Sequence, residues 1–297
     1  MERPMTKLPP GAEPAARSRP RLSLYATLAR AHALNYLVLG VGAVAMLIPF
    51  VWMLSTSFKP QGETIAFPPN LIPKHFTLEN YVGVFERANM GRLYLNTAYV
   101  ATVKTAIMVY TSALLGYIFG KFTFRYRDLI FFLFLGTWII PFEVYMIPLY
   151  VMTVRAGLGN TYAALILPYL FSAYAMFLFR QFMFTIPNDL IDAARIDGAG
   201  EWYIFHRIII PLARPALATL IAFYFMWMWN DFTWPLIVLT ESEKYVLPLG
   251  LSVFVSEFQS AHGIVMAGAS LAIIPVLLIF VAMQRYIIQG VTLSGLK

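Results

Sequence analysis

Three ionisable side chains, Lys104, Glu143 and Asp231, fall inside long apolar runs. A charge buried in lipid is costly, and such residues mark a substrate path or an ion relay by default. Asn230 and Asp231 follow Tyr224, Trp227 and Trp229. Aromatic faces beside hydrogen-bonding groups suit a sugar, whose C–H faces stack while its hydroxyls need partners. The same residues also describe an aromatic belt at the outer interface, with Asp231 in a structural hydrogen bond. Glu143 stands between Pro141 and Pro148; it either satisfies backbone donors at a kink or lines the path. Lys104 pairs with Glu143 or with Asp231, or snorkels toward the headgroups. If it faces the path, it favours acidic sugars.

Other chemistry is missing. The histidines His32, His75, His206 and His262 are scattered without metal-ligand spacing, and His206 reads as a surface residue. There is no cysteine, hence no disulfide, thiolate nucleophile or Cys-ligated metal. No Gly-x-x-x-x-Gly-Lys-[Ser/Thr] phosphate loop occurs; in the nearest string, Gly116 to Lys121, the glycines are one residue too close. No Ser-His-Asp set or carboxylate pair at catalytic spacing is found. The chain is expected to carry no catalytic, cofactor-binding or metal-binding residue.

The elements that position these residues are apolar helices. Of 297 residues, 59% are hydrophobic and 12% charged, whereas a soluble domain carries roughly 25% charged residues. A water-soluble enzyme, a disordered chain and a nucleic-acid binder are all excluded by that balance. A span needs about 20 apolar residues. Six runs qualify: residues 36–55, 93–118, 129–152, 161–179, 216–239 and 263–287. The first is too long, and lacks the small-residue cleavage site, for a removable signal peptide. Lys and Arg concentrate on the side of the termini, at Arg17–Arg30, Lys121–Arg127, Arg180–Arg214 and Arg285. The net charge of +7 therefore reports orientation, with both termini cytoplasmic.

Residues 1–20 read as a disordered tail rich in Pro and Arg. Residues 21–35 read as an amphipathic helix at the headgroups or as an extension of the first span. Gly116 and Gly120 form a small-xxx-small pair, which serves packing within the chain or dimerisation. Pro141 and Pro148 imply a kinked third span. Outer loops cover residues 57–91, with Thr77 as a helix cap, and 240–262.

Residues 181–215 are too long for a passive connector. Pro187-Asn188-Asp189 starts a helix over 189–196, Asn188 capping it and Asp189 complementing its dipole. Gly198 and Gly200 break it with left-handed turn geometry. A second helix over 201–210 stacks Trp202, Phe205 and Ile209, and Pro211 and Pro215 close the segment. Helix, glycine elbow, helix makes a knob that transmits force if a partner grips it.

The run Asp192-Ala193-Ala194-Arg195-Ile196-Asp197-Gly198, nine residues, then Ile208-Ile209-Ile210-Pro211 resembles the EAA loop of ABC importer permeases, with Asp192 in place of Glu and Ile210 in place of Leu. The stretch from Pro211 to Leu220, Asn230-Asp231, Gln284-Arg285-Tyr286 and Gln289-Gly290-Val291-Thr292 are similar to the carbohydrate-uptake branch, closest to its six-span maltose-type subunit. The resemblance covers nearly all of 36–297. It implies an all-α membrane protein with the type I ABC importer permease fold in a bacterial inner membrane. It also implies that Leu190, Asp192, Ala193, Ala194, Arg195, Gly198, Ala199 and Pro211 contact a separate ATPase. Partners would be a second homologous permease, two ATPase subunits holding ATP and Mg, and an extracytoplasmic solute-binding protein that delivers a sugar to the outer loops. Tyr224, Trp227, Asn230, Asp231, Glu143 and Lys104 are the expected substrate path. The alternative is a secondary transporter driven by an ion gradient, although no inverted repeat is visible.

Overall fold

The structure, a computed structural model, describes the backbone of residues 21–258 and 261–295, and side chains over 35–258, 261–282 and Gln284. The expectations for residues 1–20 and for the side chains of 21–34 and 285–297 lie outside these. The described residues are helical, with no strand among them. The chain divides into two units after Trp52. The first is the helix α1 (Arg21–Ser57), continued by its last turn into the next unit. Residues 21–35 therefore extend the first span as one helix. From Asn35 to Trp52 its side chains are almost wholly exposed, as expected for an apolar helix that meets lipid or another chain.

The second unit follows the order α2 (Gln61–Thr64), α3 (Glu79–Arg87), α4 (Met90–Lys121), α5 (Arg127–Thr137), α6 (Phe142–Arg155), α7 (Tyr162–Ile166), α8 (Ala173–Met183), α9 (Asn188–Ile196), α10 (Glu201–Ile204), α11 (Ile210–Leu212), α12 (Arg214–Trp229), α13 (Thr233–Val238), α14 (Leu247–Glu257) and α15 (His262–Gly295). Among the described residues three helices are long and apolar enough to cross a membrane alone, α1, α4 and α15. Bent pairs bring the number to six.

The core is built around α4, which packs on α8 and α12. Asn89 caps it, its side chain accepting the Arg92 N–H at 3.3 Å. Two glycines set the approach of α8. A Cβ on Gly116 would lie 2.9 Å from the Met176 carbonyl oxygen, and one on Gly120 would lie 2.7 Å from the Met183 Cβ. The small-xxx-small pair thus serves packing within this chain.

The spans differ from smooth hydropathy runs in one way: three are broken. The third is not a kinked helix over 129–152 but two helices, α5 and α6, at 92°. Pro141 precedes α6, and the residue before a proline disfavours helical geometry; Pro148 is held inside α6 without ending it. The fourth bends by 44° between Tyr169 and Ala173. The fifth, expected over 216–239, is instead preceded by a 79° bend between Glu201–Leu212 and Arg214–Trp229, stops at Trp229 and restarts as α13 at Thr233. Pro235 has no N–H to give the Asp231 carbonyl, so the ladder cannot run through.

On the outer side, polar side chains tie loops to helices. Asn96 of α4 donates to the carbonyls of Glu243 and Tyr245, both at 2.9 Å, and Thr97 accepts the Leu247 N–H at 2.6 Å. Asn80 of α3 donates to the carbonyls of Ser57 and Lys59 at 2.9 and 2.7 Å. Leu78 rather than Thr77 is the residue preceding α3, though Thr77 Oγ1 still accepts the Glu79 N–H at 3.2 Å.

Candidate functional site

The elbow is formed by α9, Gly198 and α10. Gly198 has φ +83°, the left-handed region that other residues enter at a cost. Nothing lies within 4 Å of where its Cβ would stand, so backbone geometry alone calls for glycine. Arg195 closes the elbow from inside. Its Nη1 meets Asp192 Oδ1 at 3.0 Å and its Nε meets Glu201 Oε1 at 2.7 Å, which joins the two helices. The hydrogen bond to Glu201 holds the guanidinium above its ordinary pKa. These groups are 38–58% exposed, so each pair contributes about 0.2–1 kcal/mol and acts chiefly as a spacer.

The elbow is anchored to the end of α4. Tyr117 donates its hydroxyl to Glu201 Oε2 at 2.9 Å. Lys121 Nζ donates to the Ile186 carbonyl at 2.6 Å and to Asn188 Oδ1 at 2.7 Å. Asn188 is therefore the first residue of α9, with its side chain held by Lys121, rather than the capping residue, a place taken by Pro187. The second helix covers the expected residues and runs on to Leu212, but it is not uniform. After Ile204 the chain makes a widened π turn over Phe205–Ile209, a feature common at functional positions, and Pro211 follows with no N–H for the Arg207 carbonyl. Phe205 and Ile209 are buried in the chain's own core, so they are not an apolar side offered outward. Leu190, Ile196, Trp202 and Tyr203 are exposed, as are Asp192 and Ala193, while Ala194, Ala199 and Pro211 are half-buried. His206 is an exposed residue that stacks on Trp202 at 5.5 Å and meets the Tyr110 hydroxyl at 3.1 Å.

The break between α12 and α13 faces a buried charge on α4. Lys104, 1% exposed, places Nζ 2.7 Å from Asp231 Oδ2 and 3.7 Å from the centre of the Tyr169 ring. Of the two pairings left open, Asp231 is the partner. Glu143, exposed at the start of α6, is not. Lys104 therefore neither snorkels nor presents a free charge. Asn230 is exposed and donates Nδ2 to the Met226 carbonyl at 2.7 Å.

Beside this break lies an open cleft of about 420 Å³, lined among others by Trp138, Tyr145, Tyr169, Tyr224 and Trp227. Tyr224 is buried, with its hydroxyl 2.5 Å from Ser172 Oγ, and its ring supports Trp227 at 5.9 Å. It is a brace rather than a contact surface. Trp138 is braced in the same way by Tyr174 at 4.9 Å. Trp138, Tyr145 and Tyr169 carry no signal in the sequence, because they lie on separate segments, after α5, in α6 and before α8. Among the described residues no group of three His, Cys, Asp or Glu could hold a metal ion.

The sequence model of the binding-protein-dependent transport system inner membrane component matches residues 112–293. The chain belongs to that family. It is 34% identical over 266 residues to the arabinooligosaccharides transport system permease protein AraQ of Halalkalibacterium halodurans, covering 88% of this chain and 95% of the relative. It is 35% identical over 256 residues to the lactose transport system permease protein LacG of Rhizobium radiobacter, covering 86% and 93%. In fold it matches a chain of a bacterial ABC transporter involved in the import of the acidic polysaccharide alginate, with a TM-score of 0.75 at 22% identity, covering 91% of this chain and 99% of that one. The all-helical permease fold and the placement in the inner membrane follow from the family, as does the role of a transport subunit.

Proposed function

We propose that this permease is one membrane-spanning subunit of an ATP-driven importer for a carbohydrate, working with a second permease chain, two ATPase subunits and an extracytoplasmic solute-binding protein. ATP and Mg would be held by the ATPase subunits. Both termini face the cytoplasm in this reading, and the loops over 57–91 and 240–262 receive the loaded binding protein. The observation that carries the proposal is the elbow. It is fastened to its own α4 by Tyr117 and Lys121, yet leaves Leu190, Ile196 and Trp202 uncovered. A structure held from one side and apolar on the other suits a partner that grips and moves it. Leu190, Asp192, Ala193, Ala194, Arg195, Gly198, Ala199 and Pro211 are the contact set.

Of the expected path residues, Trp227, Asn230 and Glu143 are exposed and form the path wall in this proposal. Tyr224, Lys104 and Asp231 stand behind that wall and hold it. Movement of the elbow changes which side of the membrane the path opens to. A secondary transporter has the broken fifth span and the Lys104–Asp231 pair in its favour.

The test is sugar uptake into vesicles carrying the whole transporter. Uptake should require ATP and survive collapse of the ion gradient; the opposite pattern rejects the proposal. Gly198→Val should impair ATP-dependent uptake through a backbone penalty of about 1–2 kcal/mol, while Gly198→Asn, a residue that enters the left-handed region more readily, should keep more of it. Equal uptake by wild type and Gly198→Val would count against the elbow as the coupling element.

A further inference from the structure

We infer that the cleft between α5, α6, α12 and the segment leading into α8 is a sugar-stacking subsite on this chain, and that it is built for a neutral carbohydrate rather than a uronate or a phosphorylated polyol. The inference rests on the reading of the chain as a carbohydrate permease and adds the substrate's charge class and three contact residues, Trp138, Tyr145 and Tyr169.

The shape of the cleft argues for stacking. Trp138 and Trp227 are 57% and 64% exposed, and each is supported on one ring face by a tyrosine, Tyr174 and Tyr224 respectively. A braced indole loses little freedom when a ligand lies on its open face, because its rotamer is already fixed. Two such platforms border one cavity of about 420 Å³, within the usual range of small-ligand pockets. An acyl chain or a packed helix would need only apolar walls. Here Tyr145 and Tyr169 also line the cavity, and each brings a hydroxyl with which a sugar hydroxyl can pair.

The charge of the cleft argues for neutrality. None of its lining side chains among the described residues is charged. The cation behind the Tyr169 ring, Lys104, is compensated by Asp231 at 2.7 Å and covered by that ring at 3.7 Å. That arrangement reverses the expectation that Lys104 would attract acidic sugars. Glu143, exposed two residues before Tyr145, adds a negative charge at the approach. An anionic sugar would enter a place with no donor charge to replace its lost hydration.

The experiment is saturation-transfer NMR on the full chain in lipid nanodiscs, with maltotriose and arabinotriose as neutral probes and trigalacturonate as the anionic probe of equal length. Saturation should pass to the ring C–H protons of a neutral probe and not to trigalacturonate. It should vanish in Trp138→Ala/Trp227→Ala and persist in Trp227→Phe, with folding checked by circular dichroism. Equal transfer to trigalacturonate overturns the charge assignment. No transfer to either neutral probe, full transfer in the double alanine variant, or loss in Trp227→Phe as complete as in the double alanine variant overturns the subsite. ATP-dependent sugar uptake that persists beside any of these failures leaves the transport reading standing; uptake independent of ATP rejects that reading instead.

Discussion

Removing one member of the Lys104–Asp231 pair should cost far more than removing both. At 2.7 Å two unit charges attract by about 6 kcal/mol if the effective dielectric constant is about 20. Desolvating each ion costs several kcal/mol, so the intact pair is close to neutral in net stability. The ammonium of Lys104 is 1% exposed and Asp231 is 21% exposed. Asp231→Leu strands the more deeply buried ion, with only the Tyr169 ring beneath it, and should cost about 3 kcal/mol, the lower end of the range for a broken buried pair. Lys104→Met leaves a carboxylate that water partly reaches and should cost less, about 1–3 kcal/mol. The double variant Lys104→Met/Asp231→Leu should return to within about 1 kcal/mol of the wild type, since an apolar pair of similar volume replaces two ions. Reversible unfolding in mixed detergent micelles, followed by helical circular dichroism, measures all four corners of the cycle. Costs that simply add in the double variant, or an Asp231→Leu cost under about 1 kcal/mol, would refute the view that these two charges compensate each other inside the fold.

Two further expectations concern packing and pH. Gly116→Leu should destabilise the chain by about 1–3 kcal/mol or more, because the first added carbon already meets the Met176 carbonyl at 2.9 Å; Gly136→Leu, with open space around it, is the control, and equal thermal stability of the two variants would contradict the close approach of α4 and α8. Glu63 accepts the backbone N–H groups of Lys74 and His75 at 2.7 and 3.2 Å, and the Lys74 bond first of all holds its carboxyl below the ordinary value of 4.5. A lowered carboxylate stabilises the folded loop above the unfolded pKa, and that support is lost as pH falls through the lower folded value. Amide exchange at Lys74 and His75, corrected for intrinsic rate, should therefore speed up under acid, and Glu63→Gln should flatten the dependence.

Much of this architecture was legible because it rests on local rules. Apolar length located the spans, and the glycine and proline punctuation around Gly198 and Pro211 located the elbow. The breaks were harder. A hydropathy window averages across residues 230–232, while the cause is the single missing N–H of Pro235 four residues beyond Asp231. Partner choice was hidden for another reason: Lys104 and Asp231 are 127 residues apart, and Glu143 offers the same charge. Burial misled at the elbow, where Trp202, Phe205 and Ile209 share helical spacing, but a π turn begins at Phe205 and the core claims only the latter two. The aromatic cleft draws on residues of α4, α5, α6, α8 and α12 and of the turn before α8, so only the folded chain assembles it.

The helix α4 joins the two ends of this machinery. Lys121 and Tyr117 hold the elbow, and Lys104 holds the interrupted fifth span. Lys121 lies seventeen residue steps along unbroken helix from Lys104, about 26 Å at 1.5 Å per residue. A helix of that kind resists compression, so it behaves as a pushrod: a shift at the elbow would arrive at the break between α12 and α13 at nearly full stroke, and one inserted kink in between should leave both ends intact while silencing the signal.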